Sequence, residues 1–243
     1  GVQSNCLSVE PLETEFGRKR QINQSTCNKD MSCLKGFCPS FVTVEGGQLK
    51  KKAKDKAASP FELGALPEPA MPEIHGAYGI VVAGVGGTGV ITIGQLLGVA
   101  GHLEGKGIVT QDAGGLAQKG GATWSHVLIA ETQDDIRTTR VSMASADLVI
   151  GCDPIVVAGK ETTMRMRQGR THVALNSNST PTAAFVKNAN WQNPARQCVD
   201  EVVEVVGEGG VGALDADLAS TRLLGDSIYT NPMMLGYAWQ KGW

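Results

Sequence analysis

Apolar and polar residues follow two different patterns along this chain, and the change comes near Ala77. After that point, short continuous apolar runs alternate with longer segments in which apolar residues recur every three or four positions. The first run, from Ile80 to Ala83, is typical of a strand buried in a parallel sheet. The segment behind it predicts a helix over residues 88–103.

The same alternation continues through the rest of the chain. Further apolar runs predict strands over residues 108–110, 123–129, 147–150 and 172–175, and two more segments predict helices over residues 153–168 and 195–206. Strands that alternate with helices favour parallel pairing through right-handed crossovers. We therefore predict an α/β fold, with a Rossmann-like, mainly parallel sheet that carries helices on both faces.

The first 75 residues lack this alternation. Residues 1–46 hold four cysteines without a clear apolar period, which predicts a small, irregular cysteine-rich module. Residues 47–75 combine five lysines with four prolines, and such a segment is expected to be an extended linker. The α/β domain then covers residues 76–243.

Composition and charge narrow the class of protein. The 31 glycines suit an α/β domain, because tight strand–helix turns need residues without a Cβ atom. A formal net charge of −2 argues against nucleic acid as a partner, and no apolar run predicts a membrane span. Gly1 is not followed by an apolar leader, and the chain stops at Trp243 inside an apolar stretch. We expect an internal, C-terminally truncated piece of a cytoplasmic protein.

A glycine-rich turn follows the first predicted strand of the α/β domain. Residues 84–89 read Gly-Val-Gly-Gly-Thr-Gly and fit the G-x-G-x-x-G pattern between a strand and a helix. Such glycines let the chain turn tightly and let a ligand approach the backbone, and the helix start offers N–H groups to an anion. The alternative is that these glycines only make tight turns.

Asp112 lies 23 positions after Gly89, about where a dinucleotide-binding domain places its ribose-binding acid. This spacing favours an NAD or FAD site. A second glycine-rich loop over residues 113–121 follows Asp112 directly, and it indicates instead a shaped site at the carboxyl edge of the sheet.

Four cysteines near the start of the chain predict a metal centre. They are Cys6, Cys27, Cys33 and Cys38, separated by 20, 5 and 4 residues, and Pro39 follows the last of them. Iron–sulfur clusters take four thiolates, and a [4Fe–4S] cluster is the favoured interpretation over a zinc site, since no CxxC pair is present. Disulfides are disfavoured without an export signal. Cys152 and Cys198 are expected to be small buried side chains.

Three segments of the α/β domain resemble the gamma domain of the 2-oxoacid:ferredoxin oxidoreductases. They are residues 79–90, the loop 118–121 with the residues up to 129, and residues 146–151. Residues 3–13 and 27–43 are similar, more narrowly, to the cysteine-rich segment of the fused bacterial indolepyruvate enzymes of that family, where it joins the thiamine-diphosphate domain to the gamma domain. The resemblance covers essentially the whole chain.

This resemblance implies an oxidative decarboxylase of aryl pyruvates in the bacterial cytoplasm. It implies thiamine diphosphate with magnesium on another part of the enzyme, coenzyme A as acyl acceptor, and ferredoxin as electron acceptor. The four N-terminal cysteines would hold a [4Fe–4S] cluster. The residues that would shape the coenzyme A or thiamine site are Gly84, Gly86, Gly87, Thr88, Gly89, Gln118, Gly120 and Gly121. The partners would be ferredoxin, the thiamine-binding domains of the same polypeptide, and a second copy in a homodimer.

The chain also departs from the complete enzymes. It contains no Gly-Asp-Gly segment followed by Asn at the spacing of a magnesium–diphosphate site, so this piece alone is not expected to turn over substrate. Two other functions stay open at this point. One is a pyridine-nucleotide-binding iron–sulfur reductase module with Asp112 on the ribose, and the other is a zinc-stabilised, non-catalytic scaffold.

Overall fold

The computed structural model describes residues 8–23, 27, 45–47, 66–113, 121–181, 188 and 190–243. Its strands are β1 (Val9–Thr14), β2 (Gly17–Ile22), β3 (Tyr78–Val85), β4 (Gly107–Ala113), β5 (Ala122–Ala130), β6 (Leu148–Gly151), β7 (His172–Asn176) and β8 (Val211–Leu214). Its helices are α1 (Val90–Leu103), α2 (Pro154–Val157), α3 (Lys160–Thr163), α4 (Ala195–Val206), α5 (Ala216–Leu224) and α6 (Thr230–Gln240). Among these ranges, no helix is long and apolar enough to cross a bilayer.

In the part of the chain that the structure describes, six strands form the central sheet in the order β4-β5-β3-β6-β7-β8. Strands β3, β6, β7 and β8 pair in parallel, which confirms the mainly parallel sheet. Strand β5 is antiparallel to both of its neighbours. The prediction of a mainly parallel sheet allows for this one antiparallel strand. Residues 114–121 join β4 to β5, and so short a connection cannot carry the chain back across the sheet for parallel pairing.

Helices cover both faces of this sheet, as predicted. Odd-numbered residues of β3 such as Val81 pack with side chains of α2 and α4, including Val157 and Val202. The even-numbered Ile80 and Val82 pack on the other face with side chains of α1, α5 and α6. This alternation buries β3 on both sides, and it explains the continuous apolar run in its sequence.

The structure corrects the predicted helix over residues 153–168. It contains two helices of one turn each, α2 and α3, separated by Ala158 and Gly159. Gly159 caps α3 with an extended backbone (φ −65°, ψ 148°), so the helical hydrogen bonds do not continue through it. The helix predicted over residues 195–206 is present as α4.

The start of the chain is more regular than predicted. Strands β1 and β2 form an antiparallel hairpin in which Val9 pairs with Ile22 and Thr14 with Gly17. Gly17 has a left-handed backbone (φ +85°), and the Thr14 hydroxyl donates a hydrogen bond of 2.6 Å to its carbonyl. Residues 8–23 are therefore not irregular. The boundaries of the three units stay a prediction, and most of the linker lies outside the described residues.

A buried histidine links the stability of the sheet to pH. His126 of β5 stands opposite Val81 of β3 and Gln111 of β4, and its exposed fraction is 3%. Burial, together with the positive charges of Arg165 and Arg140, lowers the pKa of His126 to about 4. The neutral imidazole is therefore the form that the folded protein accepts.

Acidification is expected to destabilise the fold through His126. Below pH 6.5 the unfolded chain takes up a proton that the folded chain binds only near pH 4. The free energy of unfolding should fall between these values by about 2 to 3 kcal/mol. Urea denaturation at several pH values measures this loss. His126→Leu should flatten the profile in this window, and an unchanged slope in the variant would contradict this assignment.

Candidate functional site

A cavity of about 510 Å³ opens at the carboxyl ends of the parallel strands. After β3 the chain moves towards the β4–β5 side of the sheet, whereas after β6 it moves towards β7. Ligands of open α/β sheets bind at such a point, where the direction of the connections reverses. The cavity therefore lies where this topology favours a binding site.

The glycine-rich turn forms one side of the cavity. Strand β3 ends at Val85 and α1 begins at Val90, so the turn leads directly into the helix. Gly87 (φ +83°) and Gly89 (φ +95°) have left-handed backbones that other residues rarely adopt. Gly89 caps α1 without a side-chain hydrogen bond, so the first N–H groups of the helix are left for a ligand.

Close packing behind the turn depends on Gly84. A Cβ atom on this residue would lie 2.8 Å from the Cβ atom of Cys152 and 2.8 Å from Cγ2 of Val90. Gly84 therefore lets β3, β6 and α1 meet at the base of the cavity. The Gly86 N–H donates a hydrogen bond of 2.7 Å to the Gly121 carbonyl, which ties the turn to the start of β5.

The predicted site residues do not all lie at the cavity. Gly86, Gly87, Thr88, Gly89 and Cys27 line the cavity. Gly84 lies beneath it, and Gly121 holds the turn from the neighbouring strand. The remaining predicted residues lie outside the described ranges: Gln118, Gly120, Cys6, Cys33 and Cys38.

Helix α6 fixes the outer part of the turn. The Asn231 side chain donates a hydrogen bond of 2.8 Å to the Thr88 carbonyl, and the Thr88 hydroxyl donates one of 2.7 Å to the Val85 carbonyl. Asn231 is 4% exposed. The turn is therefore held by a side chain that lies 143 positions later in the sequence.

Asn176 at the end of β7 organises the floor of the cavity. Its side-chain amide donates hydrogen bonds to the Cys152 carbonyl (3.2 Å) and to the Asp217 carboxylate (2.8 Å). Its side-chain oxygen accepts from the N–H groups of Ala216 and Asn178. The Thr230 hydroxyl donates to the other oxygen of Asp217 at 3.1 Å. These bonds join β6, β7, α5 and α6 beneath the site.

Asp153 holds the loop that follows β7. Its carboxylate accepts hydrogen bonds from the N–H groups of Ile155, Val156 and Thr180 and from the Ser179 hydroxyl. Burial raises the pKa of Asp153, and the four hydrogen bonds act in the opposite direction. The residue therefore caps α2 and fixes one wall of the cavity at the same time.

The two later cysteines are buried, as predicted. Cys152 is 7% exposed and Cys198 is 8% exposed. Burial raises the pKa of both thiols, so they stay protonated and poorly nucleophilic. Cys152 packs in the core beneath the cavity and also reaches its lining.

Sequence reasoning missed Asn176, Asp217 and Asn231, and it did not assign Asp153 to the site. A signal was present for two of them, because Asp153 follows β6 closely and Asn176 ends β7. Polar residues at the carboxyl ends of adjacent parallel strands meet at one edge of the sheet. No comparable local signal marks Asp217 or Asn231, which lie within helices α5 and α6.

The described lining of the cavity is acidic. It contains the carboxylates of Glu10, Asp153 and Asp217, and no lysine, arginine or histidine is among its described residues. Attraction for an anion therefore comes from backbone N–H groups at the glycine turn and not from these side chains.

Asp112 lies away from this cavity. Strand β5 separates β4 from β3, so Asp112 is two strands from the glycine turn, whereas a dinucleotide-binding domain pairs these strands directly. Asp112 is exposed and does not line the cavity. The geometry therefore disfavours a ribose contact by this carboxylate.

We expect no specific binding of NADH. Calorimetric titration of the chain with NADH should give no saturable heat, and Asp112→Ala should titrate like the wild type. Binding in the micromolar range that disappears in Asp112→Ala would restore the reductase interpretation.

Comparison with known proteins identifies relatives of this chain. Residues 79–242 match the protein family described as pyruvate ferredoxin/flavodoxin oxidoreductase. The indolepyruvate oxidoreductase subunit IorB of Methanothermobacter thermautotrophicus is 26% identical over 163 residues, which cover 66% of this chain and 77% of that protein. The subunit of the same name from Archaeoglobus fulgidus is 36% identical over 75 residues, which cover 31% of this chain and 35% of that protein. The crystal structure of pyruvate oxidoreductase subunit PORC from Thermotoga maritima has a TM-score of 0.45 and 16% identity, and the alignment covers 68% of this chain and 76% of that chain.

Proposed function

Because the chain belongs to the pyruvate ferredoxin/flavodoxin oxidoreductase family, we propose that it is part of an indolepyruvate ferredoxin oxidoreductase. Within that enzyme it supplies the cysteine-rich segment and the gamma-type α/β domain. The curated relatives named indolepyruvate oxidoreductase subunits support an aryl pyruvate as the substrate.

The proposed reaction is an oxidative decarboxylation. The 2-oxoacid loses its carboxylate as carbon dioxide and gives up an electron pair. The acyl group passes to the sulfur of coenzyme A, and the thiol proton is released. Iron–sulfur clusters, when bound, would supply a one-electron path from the substrate to ferredoxin. Thiamine diphosphate and magnesium would lie on the rest of the enzyme, in contact with this domain.

The observation that carries the proposal is the cavity at the carboxyl edge of the sheet. Its glycine turn presents backbone N–H groups at the start of α1, and these fit an anionic group of coenzyme A or of thiamine diphosphate. The N–H groups of Gly87 and Gly89 would hold that group. Gly86 and Thr88 would shape the turn around it, since their N–H groups donate to the carbonyls of Gly121 and Val85. Gly121 would support the turn. Gln118 and Gly120 are proposed to contribute to the same side of the cavity.

The cysteine-rich segment would carry the electrons. Cys27 lies on the wall of the cavity, so the segment reaches the site where the family domain would hold its ligand. Thiolates are the donors that iron–sulfur clusters use, and we propose Cys6, Cys27, Cys33 and Cys38 as ligands of one [4Fe–4S] cluster. The cluster would then lie beside the ligand cavity.

A charge placed at the start of α1 tests the anion site. Thr92 lines the cavity at the third position of α1, where a carboxylate also favours the helix. Thr92→Glu should therefore keep the melting temperature, while it weakens binding of coenzyme A by roughly tenfold or more through repulsion of the anion. Calorimetric titration of the anaerobically prepared chain measures this change.

Gln95→Glu is the matched control, because it adds the same charge one turn later on an exposed position of α1. It should bind coenzyme A like the wild type. Equal affinities of Thr92→Glu and the wild type would show that coenzyme A does not use this helix start.

A further inference from the structure

The β1–β2 hairpin lies outside the part of the chain that matches the family, which begins at residue 79. It nevertheless contributes to the cavity of that domain. Glu10 of β1 lines the cavity, as do Asn23 and Cys27, which follow β2. The binding site is therefore built from two parts of the chain that are far apart in sequence.

A long-range hydrogen bond holds the hairpin on the α/β domain. The Arg18 side chain donates a hydrogen bond of 2.9 Å to the carbonyl of Trp191, which precedes α4. Arg18 also forms an ion pair with Glu13 on the neighbouring strand. The guanidinium thus connects β1, β2 and the α/β domain, and it keeps the hairpin against the site.

Neighbouring amides set the orientation of the Glu10 carboxylate. The Gln21 side chain donates a hydrogen bond of 2.6 Å to one oxygen, and the Asn23 side chain donates one of 3.3 Å to the other. The Asn23 N–H donates to the Ser8 carbonyl at 2.7 Å and closes the open end of the hairpin. Each carboxylate oxygen can accept a further hydrogen bond, and Glu10 can therefore accept one from a ligand.

We propose that the hairpin completes the ligand cavity and that Glu10 sets its charge preference. Glu10 adds a carboxylate to a lining that already contains Asp153 and Asp217 and, among its described residues, no basic side chain. This wall therefore receives the uncharged, hydrogen-bond-donating part of the ligand and disfavours additional phosphate groups. The identity of the ligand as coenzyme A rests on the proposed function.

Removal of the Glu10 charge tests the proposed charge preference of the cavity. Glu10→Gln keeps the size of the side chain and should tighten binding of coenzyme A about two- to fourfold, as expected for unit charges roughly 10 Å apart at an effective dielectric constant of about 40 to 80. Pantetheine has the same thiol arm without phosphates, and its affinity should not tighten. Glu15→Gln removes the same charge at the exposed hairpin turn and should change neither affinity. Equal coenzyme A affinities of Glu10→Gln and Glu15→Gln would overturn the charge preference.

Hydrogen exchange tests whether the hairpin covers the cavity, and this experiment needs no ligand. Arg18→Ala removes the bond to Trp191, and release of the hairpin should speed exchange of the amides at residues 86–89 severalfold. Lys19→Ala, at an exposed position of the same strand, should leave this exchange unchanged. Unchanged exchange in Arg18→Ala would show that the hairpin does not cover the cavity.

The two experiments separate this inference from the proposed function. If the wild type binds neither coenzyme A nor pantetheine, the proposed ligand is wrong, and the exchange at residues 86–89 still decides whether the hairpin forms a wall. If the wild type binds coenzyme A and both hairpin tests fail, the proposed function stands and this inference is wrong.

Discussion

Replacing Gly84 by valine is expected to lower the free energy of unfolding by about 3 kcal/mol. The new Cβ atom would lie 2.8 Å from both the Cβ atom of Cys152 and Cγ2 of Val90, and the two γ-methyl groups need further space. Strand β6 and helix α1 would have to move away from β3, and the glycine turn lies between them. We therefore expect loss of ligand binding together with loss of stability.

Urea denaturation followed by circular dichroism measures this effect. Gly236→Ala is the control, because Gly236 lies inside α6 and nothing is within 4 Å of the position of its Cβ atom. Alanine in a helix interior should stabilise the protein by about 0.5 to 1 kcal/mol. If Gly84→Val unfolds at the same urea concentration as the wild type, the close approach of β3, β6 and α1 is wrong.

Replacing Cys33 by serine is expected to remove most of the absorbance of the proposed iron–sulfur cluster. Cys27, Cys33 and Cys38 lie within twelve residues, so one loop can bring their thiolates together at little entropic cost. Twenty residues separate Cys6 from Cys27, and they include the basic segment Arg18–Arg20.

Absorbance of the anaerobically reconstituted protein at about 400 nm measures the cluster. Cys198→Ser is the matched control, because Cys198 is buried in α4 and is not proposed as a ligand. It should keep the colour of the wild type. If the colour survives in Cys33→Ser, this cysteine is not a ligand of the cluster.

Much of the fold follows from local sequence patterns. The apolar runs of β3, β6 and β7 predict buried strands because both of their faces lie in the core. The direction of β5 does not follow from such a run, because apolar content is the same for either orientation. The short connection over residues 114–121 contained the missing information, since a parallel crossover needs a longer one.

The N-terminal hairpin was not predicted because its second strand contains a single apolar residue, Ile22. Strand β2 reads Gly-Arg-Lys-Arg-Gln-Ile, and half-buried positions alternate with exposed ones along it. The half-buried positions Arg18 and Arg20 carry long charged side chains. The aliphatic part of an arginine side chain can cover an apolar surface while its guanidinium forms polar contacts. A strand face made of arginines therefore does not read as apolar in the sequence.

The candidate site was predictable only in part. The glycine turn is a local motif, since each glycine meets a conformational or packing requirement set by residues close to it in the sequence. The contact between Asn176 and Asp217 joins residues 41 positions apart, and the fold alone brings them together. Glu10 reaches the cavity through a hairpin whose position depends on Arg18 and Trp191. No spacing rule in the sequence indicates these contacts.

Metal and sulfide content of the anaerobically reconstituted chain tests the central claim most directly. An electron-carrying part of a ferredoxin oxidoreductase should bind about four iron atoms and about four acid-labile sulfides per chain, with the absorbance of a single cluster. Cys33→Ser should lose most of this iron, and Cys198→Ser should keep it. Zinc without iron in the wild type would contradict the account, because a zinc-bound cysteine segment would be a scaffold that cannot transfer electrons.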